Sequence, residues 1–383
     1  MNQQIGRGSL LFSEAPFIIG TASVVGTKEG EGPLAGEFDC VGADDKFGQD
    51  TWEAAESSLQ QEALTLALGK ADRKPEEMRY LFAGDLLGQL IASSFGLKSF
   101  EIPLFGLYGA CSTCGEALAL SAMTVAAGYA DCVAAVTSSH FASAEKQFRF
   151  PLEYANQRPV SATWTVTGAG AFIVAAAETV KKPNAGLQKA ASVDLFPDRH
   201  PYLHEKGSPM AKISAVTTGK IVDYGVKDAM NMGAVMAPAA AELIAQHLTD
   251  FNRKPEDYDC IVTGDLGEVG HEILLNLLKE KGFDLSKVHR DCGMLIYDNQ
   301  KQKTGSGGSG CGCAAATLAA HFLPRIASGE LKRILFVPTG ALMSPVSFHE
   351  GRSIPGIAHG IVLEHLKEEA CKERREAGQS WIM

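Results

Sequence analysis

Apolar and polar positions alternate along this chain in two recurrent ways. Ala/Leu-rich stretches at 52–68, 116–127 and 237–248 predict helices. Short apolar runs bounded by turns, at 80–83, 132–137, Cys260–Thr263 and 333–338, predict strands. The uncharged run 159–177 is rich in Thr and Gly and contains Trp164, so it predicts buried strand and turn rather than a helix.

The order of these elements repeats. Residues 73–86 read RKPEEMRYLFAGDL and residues 253–266 read RKPEDYDCIVTGDL, an offset of 180. Each copy follows a predicted helix and runs through a short strand into Gly-Asp-Leu. Further on, Gly-Tyr-Ala-Asp at 128–131 and Gly-Glu-Leu-Lys at 329–332 each lead into a strand, now at an offset of 201. A Gly-rich turn feeding an Ala-rich helix precedes each: GLYGACSTCGEALAL at 106–120 and GSGGSGCGCAAATLAA at 305–320. Internal repetition of this kind marks a duplicated unit. Two like α/β halves, roughly 15–180 and 210–365, are therefore expected, with mainly parallel sheets and crossover helices. Packed about a pseudo-twofold axis they give a layered α/β/α/β/α body with sites at strand carboxyl ends near the junction. The division is 1–182 for the first half, 183–208 for a surface excursion with no counterpart, 209–366 for the second half and 367–383 for a charged tail.

Composition narrows the function classes. Of 383 residues, 45% are hydrophobic, which excludes low-complexity disorder. The net charge of −10 and the lack of a Lys/Arg block argue against a nucleic-acid partner. The first twenty residues lack the charged start and apolar core of a signal peptide. No stretch approaches the ~20 mostly apolar residues of a membrane span. A protein kept on the cytosolic side is expected. Its nine cysteines then read as reduced, small core residues, Cys132 and Cys260 among them.

The sharpest chemical feature is Gly109-Ala110-Cys111-Ser112-Thr113. A turn there sets Cys111 at the start of a helix, where free N–H groups and the dipole favour a thiolate. A nucleophile or a small residue in a crowded turn both fit. His140, after the following strand, is a candidate pocket residue or base. His321 reads as a packed or flanking residue. Cys111-x-x-Cys114 and Cys311-x-Cys313 occupy matching places, but their spacing and Ala-rich context are atypical for zinc. A redox pair there is no better supported. The glycines of 305–310 lack the closing Gly-Lys-Ser/Thr of a phosphate loop, so tight packing is the preferred reading. Arg149 and Arg158 lie in a loop where an arginine could meet a carboxylate in bidentate fashion, or simply be solvated.

The duplicated halves and the Gly-Ala-Cys-Ser-Thr turn resemble the thiolase fold, shared by thiolases and β-ketoacyl synthases. A narrower resemblance, to the AD family of stage V sporulation proteins in endospore formers, is carried by PFIIGTASVVGTKEGEGPL, FGLYGACSTCGEALALSAM, TSSHFASAEKQFRFPLEYANQRP, ATWTVTGAGA, DAMNMGAVMAPAA, DCIVTGDLGEVG and GGSGCGCAA. These segments span residues 16 to about 360. The resemblance implies binding of dipicolinic acid, or its calcium chelate, for uptake into the developing spore and release at germination. It implies membrane-protein partners of the same sporulation complex, a place peripheral to the spore inner membrane on the forespore cytosolic side, and a homodimer. No cofactor and no metal site are expected.

Cys111 matches the synthase nucleophile, whereas the partner positions do not match. A His is expected just after Cys260–Thr263, where this chain has Gly264-Asp265-Leu266-Gly267. A His or Asn is expected near Ser309. Condensation needs such groups to polarise a thioester and move protons, so a non-catalytic binding protein is the first expectation. Ligand-contacting candidates are Cys111, Ser112, Thr113, Ser138, Ser139, His140, Arg149 and Asp265. The alternatives are an acyltransferase using Cys111 with His140 or Asp265 as base, and a structural plug with a vestigial pocket.

Overall fold

The computed structural model describes residues 3–148, 157–180 and 205–366. Arg149, most of the 183–208 excursion and the 367–383 tail lie outside the described residues.

In the first half, β1 (Phe17–Val25) is buried along its whole length, as a strand covered on both faces must be. It is followed by α1 (Trp52–Ala71), β2 (Tyr80–Gly84), β3 (Leu104–Gly106), α2 (Thr113–Ala126), β4 (Cys132–Ser139), α3 (Phe141–Phe148) and β5 (Gly168–Ala175). The second half supplies β6 (Ala211–Thr218), α4 (Met232–Asp250), β7 (Cys260–Thr263), α5 (Gly267–Glu280), β8 (His289–Asp291), α6 (Cys311–Thr317), β9 (Arg333–Val337) and β10 (Gly356–Glu364).

Local chemistry sets several ends of these elements. The Thr51 hydroxyl accepts from Ala54 N at 3.2 Å and caps α1, which ends where Asp72 turns left-handed at φ 52°. Asn231 caps α4 in the same way, so this helix begins five residues before the expected 237 and carries Pro238 inside it. Helix α2 starts at Thr113 rather than 116.

The strand path runs β8-β7-β9-β10-β6-β1-β5-β4-β2-β3. Read outward from the β1–β6 junction, each half has the same order, with β1, β5, β4, β2 and β3 matching β6, β10, β9, β7 and β8. Directions match as well: β2 is parallel to β3 and β4, and β5 is antiparallel to β4 and β1. The second half repeats this pattern about β7 and β10. Strand pairing is thus more mixed than the expected parallel sheets, because the last strand of each half returns against its neighbours.

Three apolar cores separate five layers. One lies between α1 and the first sheet. Another lies under α4 and α5 on the second sheet. The central core joins α2, α6 and strands of both sheets. Helix α2 crosses onto β10 of the other half, and α6 onto β5. Small residues permit this approach: a Cβ on Gly170 of β5 would come within 2.6 Å of the Ala315 backbone in α6. The thiolase-like α/β/α/β/α arrangement is therefore the architecture of the chain. Among the described residues, no helix is long and apolar enough to cross a membrane.

Candidate functional site

The N-termini of α2 and α6 meet in the central layer, and a cavity opens beside them. Its wall takes Tyr108, Ala110 and Cys111 from the turn before α2, and Asp265 from the turn after β7. Ser309 and Gly310 come from the Gly-rich turn before α6, Thr163 and Thr165 from the first half, and Ala144, Glu145 and Phe148 from α3. Leu86, Met232, Ala341 and Met343 complete it. One short parallel pairing brings two of these segments together: Trp164–Thr165 aligns with Gly308–Ser309, so Thr165 and Ser309 sit side by side. The cavity volume is about 60 Å³. It shares Leu86, Tyr108, Phe148 and Met343 with a wider outer recess of about 780 Å³.

Cys111 lies in a tight 3-10 turn, Ala110–Ser112, ahead of α2 rather than on its first turn. Ala110 adopts a left-handed φ of 52°, a strained choice for a residue with a Cβ. Ser112 Oγ donates to Gly109 O at 2.7 Å, and Thr113 Oγ1 to Ala110 O at 2.6 Å. The backbone N–H groups of Ser112 and Thr113 are spent on the same two carbonyls. Ser112 and Thr113 thus hold the turn closed and are fully buried away from the cavity wall.

The surroundings of Cys111 work against the thiolate that a helix start would favour. Burial, reinforced by the Asp265 carboxylate, pushes the Cys111 thiol well above its ordinary range. Asp265 lines the cavity beside Cys111 and, after burial, does most to hold the thiol up. Asp265 Oδ2 accepts from Gly310 N at 2.9 Å, and Oδ1 from Thr339 Oγ1 at 2.9 Å. Burial raises this carboxyl to about 7, against the lowering effect of its donors.

Ser138, Ser139 and His140 fall behind the wall rather than on it. Ser138 Oγ donates to Glu56 at 2.9 Å and accepts from Gln60 at 2.8 Å. Ser139 Oγ donates to Val166 O at 2.7 Å. His140 Nε2 faces Asp45 O at 2.7 Å, and its ring packs on Trp52. Burial depresses the His140 pKa. A strand alternates its faces, and these side chains point into the protein, where internal partners use their polar atoms. His140 is thus remote from Cys111 as a base. Arg158 does meet a carboxylate, but an internal one: it donates to Glu145 at 2.8 Å and to Thr163 O while stacking over Trp164. His321 pairs with Glu37 at 2.9 Å.

The cysteines follow separate paths. Cys311 Sγ contacts Ser138 O at 2.9 Å and Cys313 Sγ contacts Gly264 O at 3.5 Å. No cluster of three or more metal-ligating side chains occurs among the described residues. The 305–310 glycines pack their backbone against Ala162, Gly293 and Ser139.

Four polar cavity residues escaped the reading of the sequence: Tyr108, Thr163, Thr165 and Glu145. The hydroxyls of Tyr108, Thr163, Thr165 and Ser309 make no hydrogen bond within the described residues, so the cavity offers neutral donors.

The profile of the stage V sporulation protein AD family matches residues 6–364. The chain is 38% identical over 359 residues to stage V sporulation protein AD of Bacillus subtilis (strain 168), covering 94% of this chain and 97% of that protein. The chain belongs to this family. Among solved structures, this chain is similar in fold to a thiolase and a 3-oxoacyl-[acyl-carrier-protein] synthase. Human mitochondrial 3-ketoacyl-CoA thiolase aligns at a TM-score of 0.53 with 13% identity, covering 93% of this chain and 99% of that one. The 3-oxoacyl-[acyl-carrier-protein] synthase III of Aquifex aeolicus VF5 aligns at 0.51 with 15% identity, covering 91% and 99%. At these identities the likeness is one of fold.

Proposed function

We propose that this sporulation protein binds dipicolinic acid, free or as its calcium chelate, in the Cys111–Asp265–Ser309 cavity. It would do so as a peripheral component of a spore membrane transport complex, on the forespore cytosolic side, and without catalysing condensation. One observation carries the reading: where a synthase needs a base and a carbonyl-polarising donor, the cavity holds a buried carboxyl and a serine around an un-ionised thiol. A thiol kept protonated is a poor nucleophile. The same cavity suits a small planar acid. It is narrow, has largely apolar walls and carries neutral hydroxyl donors for carboxylates.

Membrane proteins of the same complex are the proposed partners, together with a second copy of the chain. The outermost strand β3 supports the homodimer, since an edge strand with Leu104 45% and Phe105 51% exposed invites pairing.

Calorimetric titration of dipicolinate into the full chain, with and without calcium, tests the ligand. Saturable binding that weakens in Thr165→Val supports the reading, and absence of heat at millimolar ligand overturns it. An acyl adduct on Cys111 after incubation with acyl-CoA, read by mass spectrometry, would favour an acyltransferase instead.

A further inference from the structure

Behind the cavity wall runs a chain of hydrogen bonds that ligand contact does not use. Asp291, at the end of β8, is buried and makes no ion pair among the described residues. Its Oδ2 accepts from Leu266 N at 2.9 Å and its Oδ1 from Gly267 N at 3.0 Å, the two residues directly after Asp265. Oδ1 also accepts from Met294 N at 3.2 Å, capping the short helix Cys292–Ile296. Thr263, two residues before Asp265, sends its Oγ1 to Asp291 Oδ2 at 2.6 Å. One carboxylate therefore grips the Asp265 turn on both sides. Gly267 sits at φ +64° in that turn, and a Cβ there would strike Ser306 O at 2.4 Å.

Hydrogen counting orders the rest of the chain. Thr263 has a single hydroxyl hydrogen, given to Asp291, so it must accept from His289 Nε2–H at 2.9 Å. His289 is buried and neutral, leaving Nδ1 as an acceptor. The 2.7 Å contact between that Nδ1 and His271 Nδ1 then requires His271 to donate. His271 is half-buried on α5. A directed chain thus runs from His271 through His289 and Thr263 to Asp291, ending on the turn that presents Asp265.

We propose that Asp291, oriented by Thr263, His289 and His271, is the positioning residue for Asp265, setting where that carboxyl meets Cys111. The consequence for ligand rests on the cavity reading above, whereas the test reads the thiol and does not depend on dipicolinate. Besides Asp265, the groups coupled electrostatically to Cys111 include Cys311, Cys313 and Tyr108.

The experiment measures iodoacetamide alkylation of Cys111 against pH, by peptide mass spectrometry on the full chain. The variants are Asp265→Asn, Asp291→Asn, Thr263→Val and the two doubles with Asp265→Asn. Displacing Asp265 removes a group that holds the thiol up. Asp291→Asn and Thr263→Val should therefore speed alkylation at pH 8, Asp291→Asn by about tenfold, equivalent to one pKa unit. Neither change should add to Asp265→Asn. An unaltered profile in a variant that melts cooperatively overturns the proposal. So does an equal shift in the Asp265→Asn background, which marks a merely structural role. If Asp291→Asn does not fold, Thr263→Val carries the same two outcomes. Loss of dipicolinate binding in the native chain would remove the ligand reading and leave this positioning role standing.

Discussion

Asp265 is the residue on which the cavity's chemistry turns. Its carboxyl is raised to about 7, so it is mostly neutral below that pH and charged above it. A bound dianion meets a hydrogen-bond donor in the first case and a like charge in the second. Affinity for free dipicolinate should hold below about pH 7 and fall above it, by up to about tenfold per pH unit. Asp265→Asn should flatten that profile, and calorimetry at several pH values between 6 and 9 checks both statements. Cys111→Ala removes no ionised group, so binding at pH 6.5 should change by less than about threefold, a second outcome of the same titrations. Cys111 and Asp265 were each legible as candidates, because the Gly-Ala-Cys-Ser-Thr turn and the second Gly-Asp-Leu mark their places in the repeat, but not as neighbours. Ser138, Ser139 and His140 were misread for a local reason. The end of a strand near a nucleophile shows which residues are close, but not which face each side chain takes.

At the scale of elements, the central helices depend on small residues at their crossings. Gly170 of β5 faces the Ala315 backbone of α6, and backbone cannot yield as a flexible side chain can. Gly170→Ala should destabilise the protein by about 1–3 kcal/mol, read as a lower denaturant midpoint at unchanged slope. Strand β3 presents a different case, since Leu104 and Phe105 stay about half exposed in one protomer. Leu104→Glu with Phe105→Glu should give a folded monomer by light scattering, and an unaltered mass would remove β3 as the pairing edge. Element identity was readable from sequence, because Cys260–Thr263 appears as expected and the Ala-rich runs are helices. The ends were less readable. Helix α4 starts at Met232 because Asn231 caps it, and Pro238 inside the run concealed that start.

The whole molecule carries buried groups that set its pH range. Burial raises Glu29 and Asp265 to about 7 and Glu56 to about 8. Burial also lowers His247 and His289 to about 3 and His359 to about 4. The raised acids bind more protons folded than unfolded, so each loses stability as pH rises from its ordinary carboxyl value, 3.8 for Asp265 and 4.5 for the glutamates, through its folded value. The lowered histidines bind fewer, so each loses stability as pH falls below about 6.5. Between these limits the two sets oppose one another, and above pH 6.5 only the acids act. Melting temperature should therefore drop between pH 6.5 and 8.5, and scanning calorimetry in matched buffers checks it; a rise over that interval would contradict the assignment. The repeat at offsets 180 and 201 was enough to establish two like halves and their layered stacking, since duplicated patterns of apolar period carry the fold directly. Family membership was equally readable, from segments spread over most of the chain. Which groups share the cavity was decided only by the tertiary structure. Thr165 meets Ser309, and Cys111 meets Asp265, across 144 and 154 residues of sequence. Such contacts follow from how the two halves pack about their axis, a relation between distant surfaces that no local pattern of residues encodes.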